Sequence, residues 1–96
     1  MKKGGFVYIL TNKHNTVLYV GVTADLVGRV YEHKTKLYSK SFTARYNCDK
    51  LVYYCDFFTI EAAIAEEKRI KAGSRQQKID LIIAMNSEWK DLYDTL

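Results

Sequence analysis

Three apolar runs separated by polar segments dominate the pattern of this chain. Each run is rich in β-branched and aromatic residues, which predicts strands over residues 6–10, 17–22 and 51–57. The third run is almost continuously apolar, so we expect its strand to be central in the sheet or buried on both faces.

The polar segment over residues 12–15 predicts a hairpin turn between the first two strands. If this turn is symmetric about Lys13 and His14, Tyr8 lies directly opposite Tyr19 in the ladder. Side chains alternate along a strand, so the two phenols then share one face of the sheet.

Apolar positions three and four residues apart predict helices after the hairpin. Thr23 or Asp25 can cap a first helix that ends near residue 34, with Arg29 and His33 on one face. Residues 35–48 show no clear period and predict a loop or a broken helix.

Two more helices follow the third strand. One begins at Thr59 and ends at Gly73, and Ser74 with Gln77 forms a capping box for the next. Ser87 can cap a last short helix. The order of elements predicts an α/β chain of the α+β type, with a three-stranded, mainly antiparallel sheet flanked by helices. A chain of 96 residues is expected to form one domain over residues 1–96.

The sequence contains no predicted membrane-spanning segment and no complete signal peptide. No apolar segment approaches the roughly 20 residues that a membrane-spanning helix needs. Residues 1–5 are basic like the start of a signal peptide, but the apolar stretch after them is too short. We therefore expect a cytoplasmic protein with no membrane partner, in which Cys48 and Cys55 stay reduced.

Positive charge concentrates between residues 29 and 50. The chain has a net charge of +4, and this window alone, with six basic and two acidic residues, has an excess of four positive charges. A basic window is typical of a surface that binds nucleic acid, although a solvated lysine-rich loop gives the same pattern. The candidates for phosphate contacts are Lys34, Lys36, Lys40, Arg45 and Lys50.

Glu67 falls beside the apolar stripe of the predicted second helix, which consists of Ile60, Ala63 and Ile64. A carboxylate there needs a cation or hydrogen bonds to compensate its burial. Two interpretations stay open. Glu67 forms an internal salt bridge, for example with Arg29, or it is a ligand for a hard divalent cation such as Mg²⁺.

Segments along the whole chain resemble the GIY-YIG nuclease superfamily. Phe6-Val7-Tyr8 and Tyr19-Val20-Gly21, ten residues apart, resemble its two signature tripeptides, although Phe6 stands where glycine is usual. Residues 25–33 are similar to its arginine-bearing helix and residues 61–71 to its glutamate helix. Residues 86–92 resemble the ending of its small, single-domain, UPF0213-like branch.

The resemblance implies a role for each matching residue. Catalytic roles fall to Tyr8, Tyr19, Arg29, His33 and Glu67, and Gly21 is the glycine of the second tripeptide. Arg29 would bind the phosphate, Glu67 would hold Mg²⁺ with Mn²⁺ as an alternative, and Tyr8 or His33 would accept a proton. Asn86 is a candidate for an active-site asparagine found later in the family's sequences.

The expected function is that of a divalent-metal-dependent endonuclease. It would hydrolyse phosphodiester bonds in DNA, with RNA as an alternative, by structure-dependent nicking in repair or recombination. A nucleic-acid-binding module without catalytic activity is the second hypothesis. A small interaction domain without a role on nucleic acid is the third.

Overall fold

In the computed structural model, which describes residues 4–96, an antiparallel sheet of three strands is flanked by four α-helices. The strands are β1 (Gly5–Thr11), β2 (Leu18–Thr23) and β3 (Lys50–Phe57). The helices are α1 (Leu26–Lys34), α2 (Phe42–Arg45), α3 (Ile60–Ala72) and α4 (Arg75–Met85), and a 3₁₀ turn follows at Leu92–Thr95. The predicted α+β architecture is confirmed.

The sheet carries a hydrophobic core on each face, because β1 is its central strand and is covered on both sides. On one face, Val7 and Ile9 pack against α3 and α4. On the other face, Tyr8 and Leu10 pack against α1 and the start of β3. Tyr8 is therefore part of a packed core as well as a candidate site residue.

The third strand lies at an edge of the sheet, so the prediction of a central position was wrong. Its burial was predicted correctly near its start, where Leu51 and Val52 are fully buried in the cores on opposite faces. A continuous apolar run reports burial, but it does not report how many neighbours a strand has. The 3₁₀ turn and the helices α3 and α4 contact this edge strand.

The register of the hairpin differs from the predicted one by two residues. Tyr8 pairs with Gly21, and Tyr19 pairs with Leu10. The turn is longer than expected because the Asn12 side chain accepts hydrogen bonds from the backbone N–H groups of Thr16 and Val17, at 2.8 and 3.0 Å. A shift of two residues keeps every side chain on its predicted face, since the period of a strand is two.

Helix α1 begins as predicted, with Asp25 as its N-cap, accepting a hydrogen bond from the N–H of Gly28 at 3.0 Å. The predicted capping box of Ser74 and Gln77 is also present, at the start of α4. In α3 the buried positions are Ala63 and Ile70, whereas Ile64 is exposed. The apolar stripe predicted for α3 was therefore wrong at Ile64.

The C-terminal segment forms a 3₁₀ turn capped by Asp91, and the predicted helix start at Ser87 was wrong. One carboxylate oxygen of Asp91 accepts from the N–H groups of Leu51 and Tyr93, at 3.2 and 3.0 Å. Its other oxygen is paired with the Lys34 ammonium. A side chain that bridges three elements fixes this segment more firmly than local helix propensity does.

Cys48 and Cys55 are both free thiols, as expected. Among residues 4–96, the helices all fall short of the length and apolar character that crossing a bilayer demands. The basic start considered as a signal-like segment includes residues 1–3, which lie outside the described part of the chain.

Candidate active site

A chain of side-chain contacts links β1, α1 and α2. The hydroxyl of Tyr8 lies 3.0 Å from Nε2 of His33, and Nδ1 of the same imidazole lies 2.8 Å from the hydroxyl of Thr43. Tyr8 is 1% exposed, His33 6% and Thr43 3%. The imidazole is thus fixed at both nitrogens in a buried position, which is the arrangement that orients a histidine for proton transfer.

Gly21 leaves the space that the Tyr8 ring occupies. A Cβ atom at position 21 would lie 2.3 Å from Cζ of Tyr8, closer than any non-bonded contact permits. The glycine is therefore required by a side chain crossing from the paired strand, since its backbone dihedral is not in the left-handed region. This contact gives a physical reason for glycine in the second tripeptide.

Tyr19 lies on the same face as Tyr8 and His33. Its ring centroid is 6.3 Å from that of Tyr8 and 5.6 Å from that of His33. On its other side Tyr19 stacks on Phe42 of α2, at 6.1 Å and an interplanar angle of 27°. Tyr19 is half-buried, so it forms the outer wall of a cluster in which Tyr8 lies deeper.

Arg29 brings a positive charge to this cluster. Its guanidinium donates to Glu32 Oε1 at 3.0 Å and lies 5.7 Å from the centre of the Tyr38 ring. The Arg29 side chain is 31% exposed and that of Glu32 34%, so the pair faces solvent. A phosphate oxygen could replace the carboxylate on this guanidinium, because both are anionic acceptors that match its fork of N–H groups.

The surroundings keep both proton-carrying groups neutral near pH 7. Burial, reinforced by the neighbouring Tyr19 and opposed by Arg29, raises the pKa of Tyr8 to about 12. Burial and then the positive charge of Arg29 lower the pKa of His33 to about 4. The neutral imidazole keeps one nitrogen lone pair, which can accept a proton. The positive charge of Arg29 therefore acts to lower the pKa of both groups.

Glu67 lies on α3, and its side chain is only 12% exposed. Its carboxylate pairs with Lys71 Nζ at 2.9 Å, one helical turn away, so the cation beside it is Lys71 rather than the suggested Arg29. Lys71 also lines a shallow cleft along β2 together with Tyr19 and Phe42. This cleft connects the outer wall of the tyrosine cluster with the helix that carries Glu67.

The donor set around Glu67 suits a weakly held Mg²⁺ ion. Within residues 4–96, no three side chains of His, Cys, Asp or Glu come together as a ready-made metal cluster. Mg²⁺ commonly keeps several water molecules and binds through one or two carboxylates, so a single glutamate such as Glu67 can serve as its protein ligand. Lys71, at 51% exposure, is the group that would have to move.

The five candidate cations for phosphate contacts fall into different environments. Lys34 is engaged within the fold, because its ammonium binds Asp91 and donates to the backbone oxygen of Asp49 at 2.8 Å. Lys50 is half-buried on β3. The exposed members of the set are Lys36, Lys40 and Arg45.

Asn86 has a structural role in the fold, and the active-site role considered for it stays a prediction. It is 7% exposed and caps the C-terminal end of α4. Its amide group donates to the backbone oxygens of Val52 and Lys90, at 3.2 and 2.7 Å, and its side-chain oxygen accepts from the N–H of Lys90 at 3.0 Å. These bonds tie the C-terminal segment to the sheet.

Three residues of the cluster were missed by sequence reasoning. Thr43 and Phe42 lie in the segment that showed no period, so nothing in the sequence placed them beside His33 and Tyr19. Glu32 did carry a signal, because a carboxylate three residues after Arg29 on a helix is a common ion-pair spacing.

The sequence of this chain matches a known protein family and several of its members. The family model of the GIY-YIG catalytic domain matches residues 4–80. A UPF0213 protein of Syntrophus aciditrophicus (strain SB) is 32% identical over 77 residues, which cover 80% of this chain and 87% of that protein. A UPF0213 protein of Yersinia enterocolitica is 30% identical over 78 residues, covering 81% and 79% of the two chains.

A solved structure shows the same fold. The solution NMR structure of a UPF0213 protein from Bacillus halodurans is 26% identical in sequence and has a TM-score of 0.57. The match covers 91% of this chain and 90% of that one. The similarity thus extends over nearly all the elements described above.

Proposed function

This chain belongs to the GIY-YIG family, a family of nucleases, and from that premise we propose that it is a divalent-metal-dependent endonuclease acting on DNA. The resemblance inferred from its sequence segments, including the UPF0213-like branch, is confirmed. The observation that supports the proposal best is the joint position of Arg29 and the Tyr8–His33 pair, since a phosphate binder and a proton acceptor lie together.

In the proposed reaction a water molecule attacks the phosphorus atom in line with the leaving 3′ oxygen. Arg29 releases Glu32 and binds the phosphate instead, and it stabilises the negative charge that builds on the phosphate oxygens. Arg29 lies close enough to the buried Tyr8 hydroxyl to affect its pKa, so a phosphate bound to this guanidinium would lie beside the phenol. The cleaved linkage then carries a 5′ phosphate and a 3′ hydroxyl.

The proton of the attacking water passes to Tyr8, whose own proton passes to Nε2 of His33, 3.0 Å away. Because Nε2 must be unprotonated for this step, Nδ1 carries the N–H of the ring and donates to the Thr43 hydroxyl, which holds the ring in place. Arg29 is one cause of the lowered pKa of His33, so a phosphate that neutralises Arg29 makes the imidazole a stronger base. The leaving oxygen takes its proton from solvent.

A Mg²⁺ ion held by Glu67 would supply Lewis-acid stabilisation of the phosphate and the leaving oxygen, with Mn²⁺ as an alternative. Lys36, Lys40 and Arg45 would contact the backbone of the nucleic acid and fix its position without reading its sequence. Recognition would then depend on the shape of the substrate, and we propose nicking of branched or damaged DNA in repair or recombination.

The test is a cleavage panel with supercoiled plasmid, continuous duplex, nicked duplex and branched DNA, in Mg²⁺, Mn²⁺ or chelator. Arg29→Ala and Glu67→Ala are expected to lower the rate roughly 100-fold or more. Glu66→Ala and Arg69→Ala remove the neighbouring exposed ion pair on α3 and serve as matched controls. Cleavage that persists in both site variants would show that the activity belongs to a contaminant.

A second candidate is a nucleic-acid-binding module without catalytic activity. It is favoured by one observation: Arg29 and Glu67 are each paired within the protein, with Glu32 and Lys71. If these pairs do not open, phosphate contacts are left to the exposed cations alone. Salt-dependent binding to DNA with no cleavage of any substrate in the panel would establish this alternative.

A further inference from the structure

A row of aromatic rings leads from the tyrosine cluster onto the surface of α2. The Tyr19 ring stacks on Phe42, and Phe42 contacts Tyr46 with ring centroids 4.7 Å apart. Phe42 is 47% exposed and Tyr46 46%. Two large rings, one helical turn apart, therefore face solvent next to a signature tyrosine of the family.

The row is supported from the inside. Thr43, which follows Phe42, is buried and bonds to His33 through its hydroxyl, at 2.8 Å. The backbone oxygen of Thr43 also accepts from the N–H of Cys48 at 2.9 Å, and Cys48 is fully buried. The short helix is thus anchored by its inner face, and the outer rings are held in place before any ligand arrives.

The segment that carries the row is positively charged. Residues 33–48 contain four Lys and Arg residues and no Asp or Glu. The Arg45 guanidinium lies 5.9 Å from the centre of the Tyr46 ring, and Lys40 is exposed nearby in the sequence. Exposed aromatic faces combined with cations are the means by which proteins bind single strands, because bases stack on the rings and phosphates pair with the cations.

We infer that Phe42 and Tyr46 form a stacking platform for unpaired nucleotides beside the scissile phosphate. In a continuous duplex the base faces are already stacked on one another, so such a platform serves only where a strand is unpaired. The inference rests on the proposed endonuclease function and names its substrate class. That class is a nucleic acid with a single-stranded segment next to the cleavage point, such as a flap or an open junction.

The first experiment measures binding in chelator, where metal-dependent cleavage does not occur. Fluorescence anisotropy compares a labelled single strand of about 12 nucleotides, as DNA and as RNA, with a blunt duplex. Phe42→Leu and Tyr46→Leu keep apolar side chains but remove the ring faces. Each is expected to weaken single-strand binding roughly 5-fold or more and to leave duplex binding unchanged.

Phe58→Leu is the matched control, because Phe58 is 63% exposed and lies between β3 and α3, away from α2 in the sequence. Thermal unfolding checks that each variant is folded. The same question is put to the unaltered protein by replacing nucleotides of the strand with abasic ones, which keep the phosphates but cannot stack. Abasic positions are expected to lower affinity by a similar factor.

The DNA and RNA strands distinguish which sugar is preferred, and both outcomes agree with a stacking platform. Equal losses in the Phe58 control, or abasic strands that bind as well as intact ones, would overturn the inference. Single-strand binding that needs both rings, without cleavage, would keep the platform and reject the endonuclease. Cleavage of flaps and continuous duplexes at equal rates, unchanged by Phe42→Leu, would keep the endonuclease and reject the platform.

Discussion

The Tyr8 ring lies against the backbone of Gly21, the residue that pairs with it across the β1–β2 ladder. The contact joins the two signature tripeptides at a buried point, because Tyr8 is 1% exposed. It also directs the phenol toward His33, and the Tyr8 hydroxyl lies 3.0 Å from Nε2 of that residue. The position of the proton-carrying pair therefore depends on the absence of a side chain at residue 21.

Gly21→Ala is expected to destabilise the protein by about 1–3 kcal/mol, because the new Cβ overpacks the site. The clash is with Cζ and Oη of Tyr8, at 2.3 and 2.4 Å, so the ring or the strand must move. Urea unfolding measures the loss. In a Tyr8→Leu background, where the ring is gone, the same substitution should cost much less, and equal costs in both backgrounds would contradict the explanation.

The hairpin shows how far the sequence determines this site. Alternation of side chains was enough to place Tyr8 and Tyr19 on one face. It was not enough to pair Tyr8 with Gly21, because the register is set by hydrogen bonds of the Asn12 side chain inside the turn. A side chain that reorganises a turn leaves no periodic signal, so the face was predictable and the opposite residue was not.

His33→Gln should remove a pH dependence of stability. The pKa of His33 falls from 6.5 to about 4 on folding, so the unfolded state binds more protons between these values. The stabilising contribution is therefore complete above pH 6.5 and is lost as the pH falls through 4. The loss amounts to roughly 3 kcal/mol.

Urea unfolding at pH 7.5 and at pH 5 should show about 2 kcal/mol of this loss in the wild type, because pH 5 lies between the two pKa values, and much less in the variant. His14→Gln, which removes the exposed histidine of the hairpin turn, is the control. Equal changes of stability with pH in the wild type and in His33→Gln would show that His33 does not carry the effect.

Glu32→Gln should release the Arg29 guanidinium for phosphate. The carboxylate now occupies it at 3.0 Å, and a neutral amide competes less well with an anion. We expect several-fold tighter binding to duplex DNA, and a plot of log affinity against log salt that steepens by about 0.9, the value for one added phosphate contact. Glu61→Gln, at an exposed position of α3, makes the same change of charge and is the control. An identical gain there would indicate a general charge effect.

Lys34 and Lys40 should respond differently to loss of their charge, although both lie in the basic window. Lys34→Met breaks the pair with Asp91 and a hydrogen bond to the backbone, so we expect a stability loss of roughly 1–2 kcal/mol. Lys40→Met should leave stability unchanged and lower the salt slope of DNA binding by about 0.9. Unfolding curves and binding titrations on both variants decide; a Lys34 variant that is stable but binds poorly would restore its predicted phosphate role.

The contrast between these two lysines reflects what composition can and cannot reveal. A count of charges identified a basic window, and three of its cations, Lys36, Lys40 and Arg45, are exposed. It did not identify Lys34 as an internal partner of Asp91, which lies 57 residues away in the sequence. Likewise Thr43 and Phe42 meet His33 and Tyr19 only through the packing of α2, a helix too short to show a period.

Asn86→Ala should lower stability without lowering the catalytic rate of the folded protein. The substitution leaves the backbone oxygens of Val52 and Lys90 and the N–H of Lys90 without their bonds, at a cost of roughly 2–3 kcal/mol. Cleavage rates are compared at a temperature where circular dichroism shows the variant fully folded. A rate that falls 100-fold in a folded Asn86→Ala protein would instead assign the asparagine to the active site, because removal of one stabilising donor has that magnitude.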